Sequence, residues 1–241
     1  MTDVPVSDVP ASGAPVSDAA GAALTPRAEQ TRAAIVTAAL ELFRERGYDA
    51  ATMRAIAGRA GVSTGNAYYY FSSKEALIQE FYSRNQAEHL AASLPVLATE
   101  TDLAARLRGA LRAQVQVMAP YHEFAATLYK HAAEPTSPLS PFSPQSSPAR
   151  QGSIALYRDV VDGSRARMNA EVRDRLPELL WLYSLGITLY WVHDRSEGCS
   201  RTYELIDATV QIVAQLVSAS RLPVLRRSLA DLVRVFDLLS A

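Results

Sequence analysis

Cysteine is almost missing from this chain. Cys199 is the only one among 241 residues, which excludes an internal disulfide and a zinc site built on several thiolates. Lysine occurs only at positions 74 and 130, and arginine fills every other basic position; this points to a GC-rich genome and says nothing of mechanism. No excess of positive charge marks the whole chain either. Lys and Arg number 24 against 25 Asp and Glu, a formal net charge of −1, so a globally basic nucleic-acid binder is excluded. The four histidines, His89, His122, His131 and His193, have no metal-ligand spacing, and no glycine-rich phosphate loop exists. We expect neither metal nor cofactor. No apolar run reaches the roughly 20 residues that a membrane helix needs. The N-terminus lacks the basic start and apolar core of a signal peptide. A cytoplasmic protein without a membrane partner is the expectation. There is no repeat with a period of 20–50 residues, and no alternating pattern of the kind strands require.

What is there is unevenly distributed. Residues 1–26 carry Asp3, Asp8 and Asp18 and no basic side chain, whereas residues 27–75 carry seven basic against five acidic groups. Residues 1–24 repeat Ala, Pro, Ser, Asp and Val without helical period and read as a disordered tail. The segment 25–78 follows as a small helical domain, and 79–241 as a larger one. Its helices are expected near 73–94, 102–118, 121–133, 153–168, 173–194, 202–220 and 224–240. The stretch PTSPLSPFSPQSSPARQ interrupts them, and we read 135–150 as a proline-rich loop, either a lid or a linker. The expected fold is all-α.

The informative stretch is TRAAIVTAALELFRERGYDAATMRAIAGRAGVSTGNAYYYFSSKEAL, residues 31–77. Ile35, Ala38, Ala39, Leu42 and Phe43 recur at helical spacing, with arginine and glutamate on the other face. Gly47 suits the residue just past a helix C-terminus. Thr52 is the expected N-cap of a second helix with Ile56, Ala57 and Ala60 inward, and Ser63 that of a third. Gly61 allows the sharp turn between them, Val62 plugs the small core, and Ala57, Gly58 and Ala60 are small enough for close helix approach. Ser72-Ser73-Lys74-Glu75 fits a capping box, with Phe71 and Ala76 at the staple positions. The third helix is too short to fold alone, yet it presents Thr64, Asn66, Tyr68, Tyr69 and Tyr70. That makes sense for a helix that enters the major groove of DNA.

Two motifs now carry a resemblance. Thr52-Met53-Arg54-x-Ile56-Ala57-x-x-Ala60-Gly61-Val62-Ser63, followed by Tyr68-x-Tyr70-Phe71-x-x-Lys74-Glu75-x-Leu77, resembles the DNA-binding domain of the tetracycline-repressor (TetR) family over residues 27–80. The resemblance implies an all-helical homodimer that binds a palindromic operator in double-stranded DNA and releases it on binding a small molecule. It implies that Arg54 touches phosphate or a base edge and that Ser63, Thr64, Gly65 and Asn66 form the leading edge of the recognition helix. Tyr68 and Tyr70 would hold the DNA backbone, and Lys74 a phosphate at the next helix N-terminus. Asn66 suits adenine, whose N6 and N7 its amide matches together. Ala67 departs from the bulkier aliphatic residue common at its position.

Beyond Leu77 no comparable motif exists, and composition must serve. Leu176–Val192 is apolar almost all round and needs cover on more than one side, and Thr202–Val217 is amphipathic with a wide apolar face. A second copy of the chain is the expected cover, with Leu185, Leu189, Ile212 and Leu216 as interface candidates. Aromatic residues gather in the same domain, and Tyr121, Phe124, Tyr157, Trp181 and Tyr190 are the candidate lining of a small-molecule site. Charged side chains are sparse there, which predicts an apolar or aromatic effector. The reading is therefore a ligand-responsive repressor with no catalytic residue. Two alternatives stay open. Gly61-Val62-Ser63-Thr64-Gly65 matches the G-x-S-x-G nucleophile elbow, but a hydrolase needs a strand before it; a regulator without a small-molecule ligand is the other.

Overall fold

A computed structural model of the chain describes residues 25–220; the N-terminal tail and the expected helix at 224–240 lie outside the described residues. The elements are α1 (Pro26–Arg46), α2 (Met53–Arg59), α3 (Thr64–Tyr70), α4 (Lys74–Thr99), α5 (Leu103–Met118), α6 (His122–Ala132), α7 (Ser147–Asp162), α8 (Ala170–His193) and α9 (Ser200–Ala219), with single 3-10 turns at Ala119–Tyr121 and Glu197–Cys199. Among the described residues there is no strand. The fold is all-α.

Local chemistry explains most boundaries. The Thr52 and Ser63 side chains accept from the backbone N–H of Ala55 and Asn66, so each short helix begins where a hydroxyl satisfies an orphan donor. Asp102 and Asn169 start α5 and α8 in the same way. Gly47 ends α1 at φ 81, ψ 159, a region all but closed to residues with a side chain and outside the left-handed helical well usual just past a helix end. Gly61 makes the α2–α3 turn at φ 71.

Three expectations need correction here. The cap of α4 is Ser73, which accepts from Ala76 N–H, so the third helical position holds an alanine and the reciprocal half of a capping box is missing. Glu75 instead accepts a 2.6 Å bond from the Tyr48 hydroxyl. Gly58 is exposed, and a Cβ built there meets nothing within 4 Å; close helix approach is not its role. Finally, the proline-rich segment ends sooner than expected, because α7 starts at Ser147 with Pro148 in its first turn. There the missing N–H has no intrahelical partner to lose. At the other end α7 stops at Gly163 rather than near Met168.

Residues 133–146 are ordered by their own composition. Ser-Pro recurs at 137–138, 140–141 and 143–144, and Ser140 N–H bonds to Ser137 O, then Ser143 N–H to Ser140 O. Each is a turn with proline at its second position, where its fixed φ fits. Gln79 and Tyr82 of α4 hold the loop through the carbonyls of Pro138 and Leu139, at 2.7 and 3.3 Å.

Two apolar clusters result. One joins α1–α3 to the start of α4, and continues through Phe124, Leu128 and Ala132 of α6 to Leu139 of the loop. The other packs α5, α7, α8 and α9 around Leu107, Leu111, Tyr157, Val160 and Trp191. Arg106, 4 % exposed, lies among the helix ends and donates to the carbonyls of Leu97 (2.6 Å), Glu100 (2.7 Å), Asp159 (2.6 Å) and Val160 (2.9 Å). One guanidinium thus satisfies the C-terminal carbonyls of both α4 and α7, where a positive charge is favoured. Nothing in the sequence marked it.

Candidate nucleic-acid interface and ligand cavity

Of the seven residues of α3 only Ala67 is buried, at 0 % exposure. The small side chain seats the helix tightly, which accounts for the departure noted at that position. Everything else on α3 faces outward or sideways. Tyr68 is 51 % and Tyr69 80 % exposed; Gly65 and Asn66 are exposed, Thr64 and Tyr70 half-buried. Tyr69 meets Tyr70 edge to face, with centroids 5.2 Å apart, and Tyr70 packs against the first cluster. Gly65 has no positive φ and a Cβ there would meet nothing within 4 Å, so no contact within the chain calls for glycine at that point.

The basic groups of this region divide into engaged and free. Arg59 is tied to Glu45 (2.8 Å) and Glu41 (3.3 Å), and Arg32 to Glu80 (2.6 Å). Arg54 is exposed and has no ion pair among the described residues. Lys74 donates to the Tyr48 carbonyl at 2.8 Å and stands 4.3 Å from the centre of the Tyr48 ring. Two of its three donors remain for a partner. Tyr48 is itself held from three sides: its hydroxyl donates to Glu75, and its ring lies 5.2 Å from Phe43 and 4.8 Å from His131 of α6. Burial, and then the Glu75 carboxylate, push the Tyr48 phenol well up, so it stays a donor.

Ser63, the hydroxyl of the G-x-S-x-G match, accepts from the Asn66 N–H. It sits between two helices rather than after a strand, so the elbow geometry is not formed.

A cavity of about 560 Å³ opens between α4, α5, α6, the 133–146 loop, the start of α7 and α8, within the range of small-molecule sites. Tyr121, Phe124 and Trp181 line it as expected. Tyr157 does not: it is 0 % exposed inside the second cluster, its hydroxyl donating to Gln114 Oε1 at 3.1 Å. Tyr190 does not either, since it is 41 % exposed on the outer side of α8. Helical spacing alone could not assign either tyrosine to one side. Leu185, expected at a subunit interface, lines the cavity instead. The sequence reading missed the polar lining, chiefly His89, Gln114, Thr188 and Arg150. His89 is 6 % exposed and bonds the Ala110 carbonyl through Nε2 at 2.9 Å, and burial holds its pKa below the usual 6.5. His122 points elsewhere, to the Trp191 carbonyl at 2.7 Å. Phe142, 63 % exposed, covers Trp181 edge to face at 5.4 Å.

Leu189 and Tyr190 of α8 and Ile212 and Leu216 of α9 are between 41 and 55 % exposed. Gly186, Leu189 and Tyr190 recur at helical spacing on the exposed side of α8, and α8 packs against α9. No helix of the described residues is long and apolar enough to cross a membrane.

Comparison with known proteins adds the following. Residues 35–81 match the family model described as bacterial regulatory proteins, tetR family, and residues 106–235 match a tetracyclin repressor-like C-terminal domain. The HTH-type transcriptional regulator UidR of Escherichia coli is 44 % identical over 64 residues, which are 27 % of this chain and 33 % of UidR. The chain thus spans about a third of the length of the curated relatives it first matches. A TetR transcriptional regulator from Nitrosomonas europaea is 18 % identical in sequence, with a TM-score of 0.60 over 76 % of this chain and 98 % of that one. Thermus thermophilus FadR, a transcriptional repressor in complex with lauroyl-CoA, is 22 % identical, with a TM-score of 0.55 over 75 % of this chain and 93 % of its own.

Proposed function

The chain belongs to the tetracycline-repressor family of DNA-binding transcriptional regulators, and on that premise we propose that it is a homodimeric repressor released from its operator by a small apolar effector. The observation that carries this reading is α3 itself, a helix whose only buried residue is Ala67. Its exposed aromatic and polar side chains lie open to water and suit a groove. Asn66 and Thr64 read base edges; Tyr68, Tyr70, Arg54 and Lys74 hold phosphates. Gly65 leaves open space where the sugar-phosphate backbone or a base edge comes close. A palindromic operator follows from two-fold symmetry, its half-sites about 34–36 Å apart, one helical turn of DNA.

The exposed face of α8 and α9 supports a second copy as the partner. Four large apolar side chains half open to water on adjacent helices are the pattern of an unpaired interface rather than of scattered surface residues. The cavity supports the effector. FadR of Thermus thermophilus was solved with lauroyl-CoA, and an apolar chain suits the lining of Phe81, Phe124 and Trp181 here. A ligand releases DNA only through its different affinity for the two conformations. Selection of an operator from a random duplex pool, followed by native mass spectrometry of the protein as purified, tests the reading. We expect a palindromic sequence bound by two chains and a co-purified small molecule. Failure to enrich any sequence would overturn it.

A further inference from the structure

The cavity has a marked imbalance of charge. Among the described residues no aspartate or glutamate lines it, and the only permanently charged group there is Arg150. Among the described residues Arg150 has no ion pair. Its Nη1 donates to the loop carbonyls of Pro141 (2.7 Å) and Ser143 (3.1 Å), while its Nε and Nη2 have no hydrogen-bond partner among the described residues. Those two groups form the edge of a guanidinium that meets a carboxylate with two parallel bonds. The setting makes the missing counter-charge more pointed. Arg150 stands in the first turn of α7, and the carbonyls it touches precede that helix. A cation is therefore held at the positive end of a helix dipole, where an anion is favoured. The same cavity has apolar walls from Phe142, Trp181 and Leu185.

We infer that the cavity takes a singly charged amphiphile, a carboxylate on an apolar body, and that Arg150 holds the carboxylate. The inference rests on the cavity being an effector site. One fork matches one carboxylate, and a ligand carrying several phosphates would leave most of its charge beside apolar walls without partners. A neutral ligand of the same shape fills the walls but leaves the Nε–Nη2 edge unmet.

Both tryptophans of the chain, Trp181 and Trp191, line the cavity, so the intrinsic emission of the full-length protein reports occupancy. The probes are decanoate, decan-1-ol and decyltrimethylammonium, all below micelle-forming concentrations, with 2-naphthoate to separate alkyl from aromatic acids. Decanoate or 2-naphthoate should bind roughly tenfold or more tighter than decanol, the size of a charge-assisted bond, and the ammonium probe should bind least. R150Q should bring decanoate and decanol within about twofold, and R150K should keep a preference for the acid. Because Nη1 also anchors the loop, the wild-type ranking of probes is the primary measurement and needs no variant. Decanol binding as tightly as both acids would overturn the inference while leaving an apolar effector site standing. No change in emission with any probe would overturn both. A preference for acid that survives in R150Q would remove Arg150 from its assigned part.

Discussion

A Cβ on Gly163 would lie 2.1 Å from Nη2 of Arg106. The backbone of Gly163 has an ordinary helical φ of −76°, so alanine is excluded by space and not by conformation. The displaced group is the end of a long side chain, yet four carbonyl bonds hold it in place. Gly163→Ala should therefore destabilise by about 1–2 kcal/mol, as overpacking does. Arg106→Met, which abandons the carbonyls of both helix ends, should cost about 3 kcal/mol. Urea unfolding at one fixed protein concentration measures both. If Gly163→Ala unfolds at the wild-type midpoint, the guanidinium is freer than its bonds indicate.

Binding to a selected operator should separate three side chains. Lys74→Ala should weaken binding to all sequences and reduce the salt slope by about 0.9, one phosphate contact. Asn66→Ala should relax base preference at one position per half-site by roughly 1–3 kcal/mol. Tyr69→Ala removes a ring that is 80 % exposed, so it should lower DNA affinity while changing stability by less than about 0.5 kcal/mol. Fluorescence anisotropy across a salt series reads all three. Unchanged binding in every variant would move the interface away from α3.

The α8–α9 face gives a contrast between neighbours on the same helices. Ile212→Glu or Leu216→Glu should yield a folded monomer, because each puts a charge where a partner excludes water. Leu185→Glu should instead leave the mass unchanged and disturb the cavity that Leu185 lines. Light scattering coupled to size exclusion separates these outcomes. A wild-type monomer at micromolar concentration would end the dimer reading.

Stability should fall in two steps as pH is lowered. Burial depresses the pKa of His89 from 6.5, so the unfolded chain takes up a proton before the folded one does. Stability from this group is complete above 6.5 and is lost as pH falls toward the folded value. His89→Gln should remove that upper decline. For Asp194, burial raises the carboxyl, but bonds from Ser196 and Thr202 outweigh it and hold the pKa at about 2 against an ordinary 3.8. Its contribution is present above 3.8 and is lost between there and about 2. Urea midpoints from pH 8 to pH 2 resolve the two, and a flat profile through 6.5 would contradict the burial of His89.

What could be read from residue order was what local chemistry decides. Thr52 and Ser63 cap helices because a hydroxyl three residues before a backbone N–H needs nothing else. Side-chain destinations were another matter. Leu185 and Leu189 lie one turn apart on α8, yet one lines the cavity and the other is 42 % exposed; an all-apolar helix offers no periodicity to divide them. Arginine on an amphipathic helix reads as a surface group, which hid both Arg106 and Arg150. Serine and proline read as structureless, although a three-residue spacing lets them build successive turns. Candidate DNA contacts lie on two short capped helices and at the capped start of α4 and were legible; the cavity is assembled from six separate segments and was not.

The apolar cluster that begins at Ile35 does not stop at Leu77 but runs on through Phe124 and Leu128 to Leu139. Phe43 stacks on Phe124 at 5.6 Å, and His131 approaches Asp49 at 3.6 Å. The reading head is thus not a detachable cartridge. A chimera that grafted residues 25–78 onto another relative would carry the imprint of α6 on its underside, and a mismatched α6 would leave Phe43 and Tyr48 without their neighbours. Exchanging heads to redirect such a regulator to new DNA therefore requires exchanging the footprint too, starting with Phe124, Leu128 and His131.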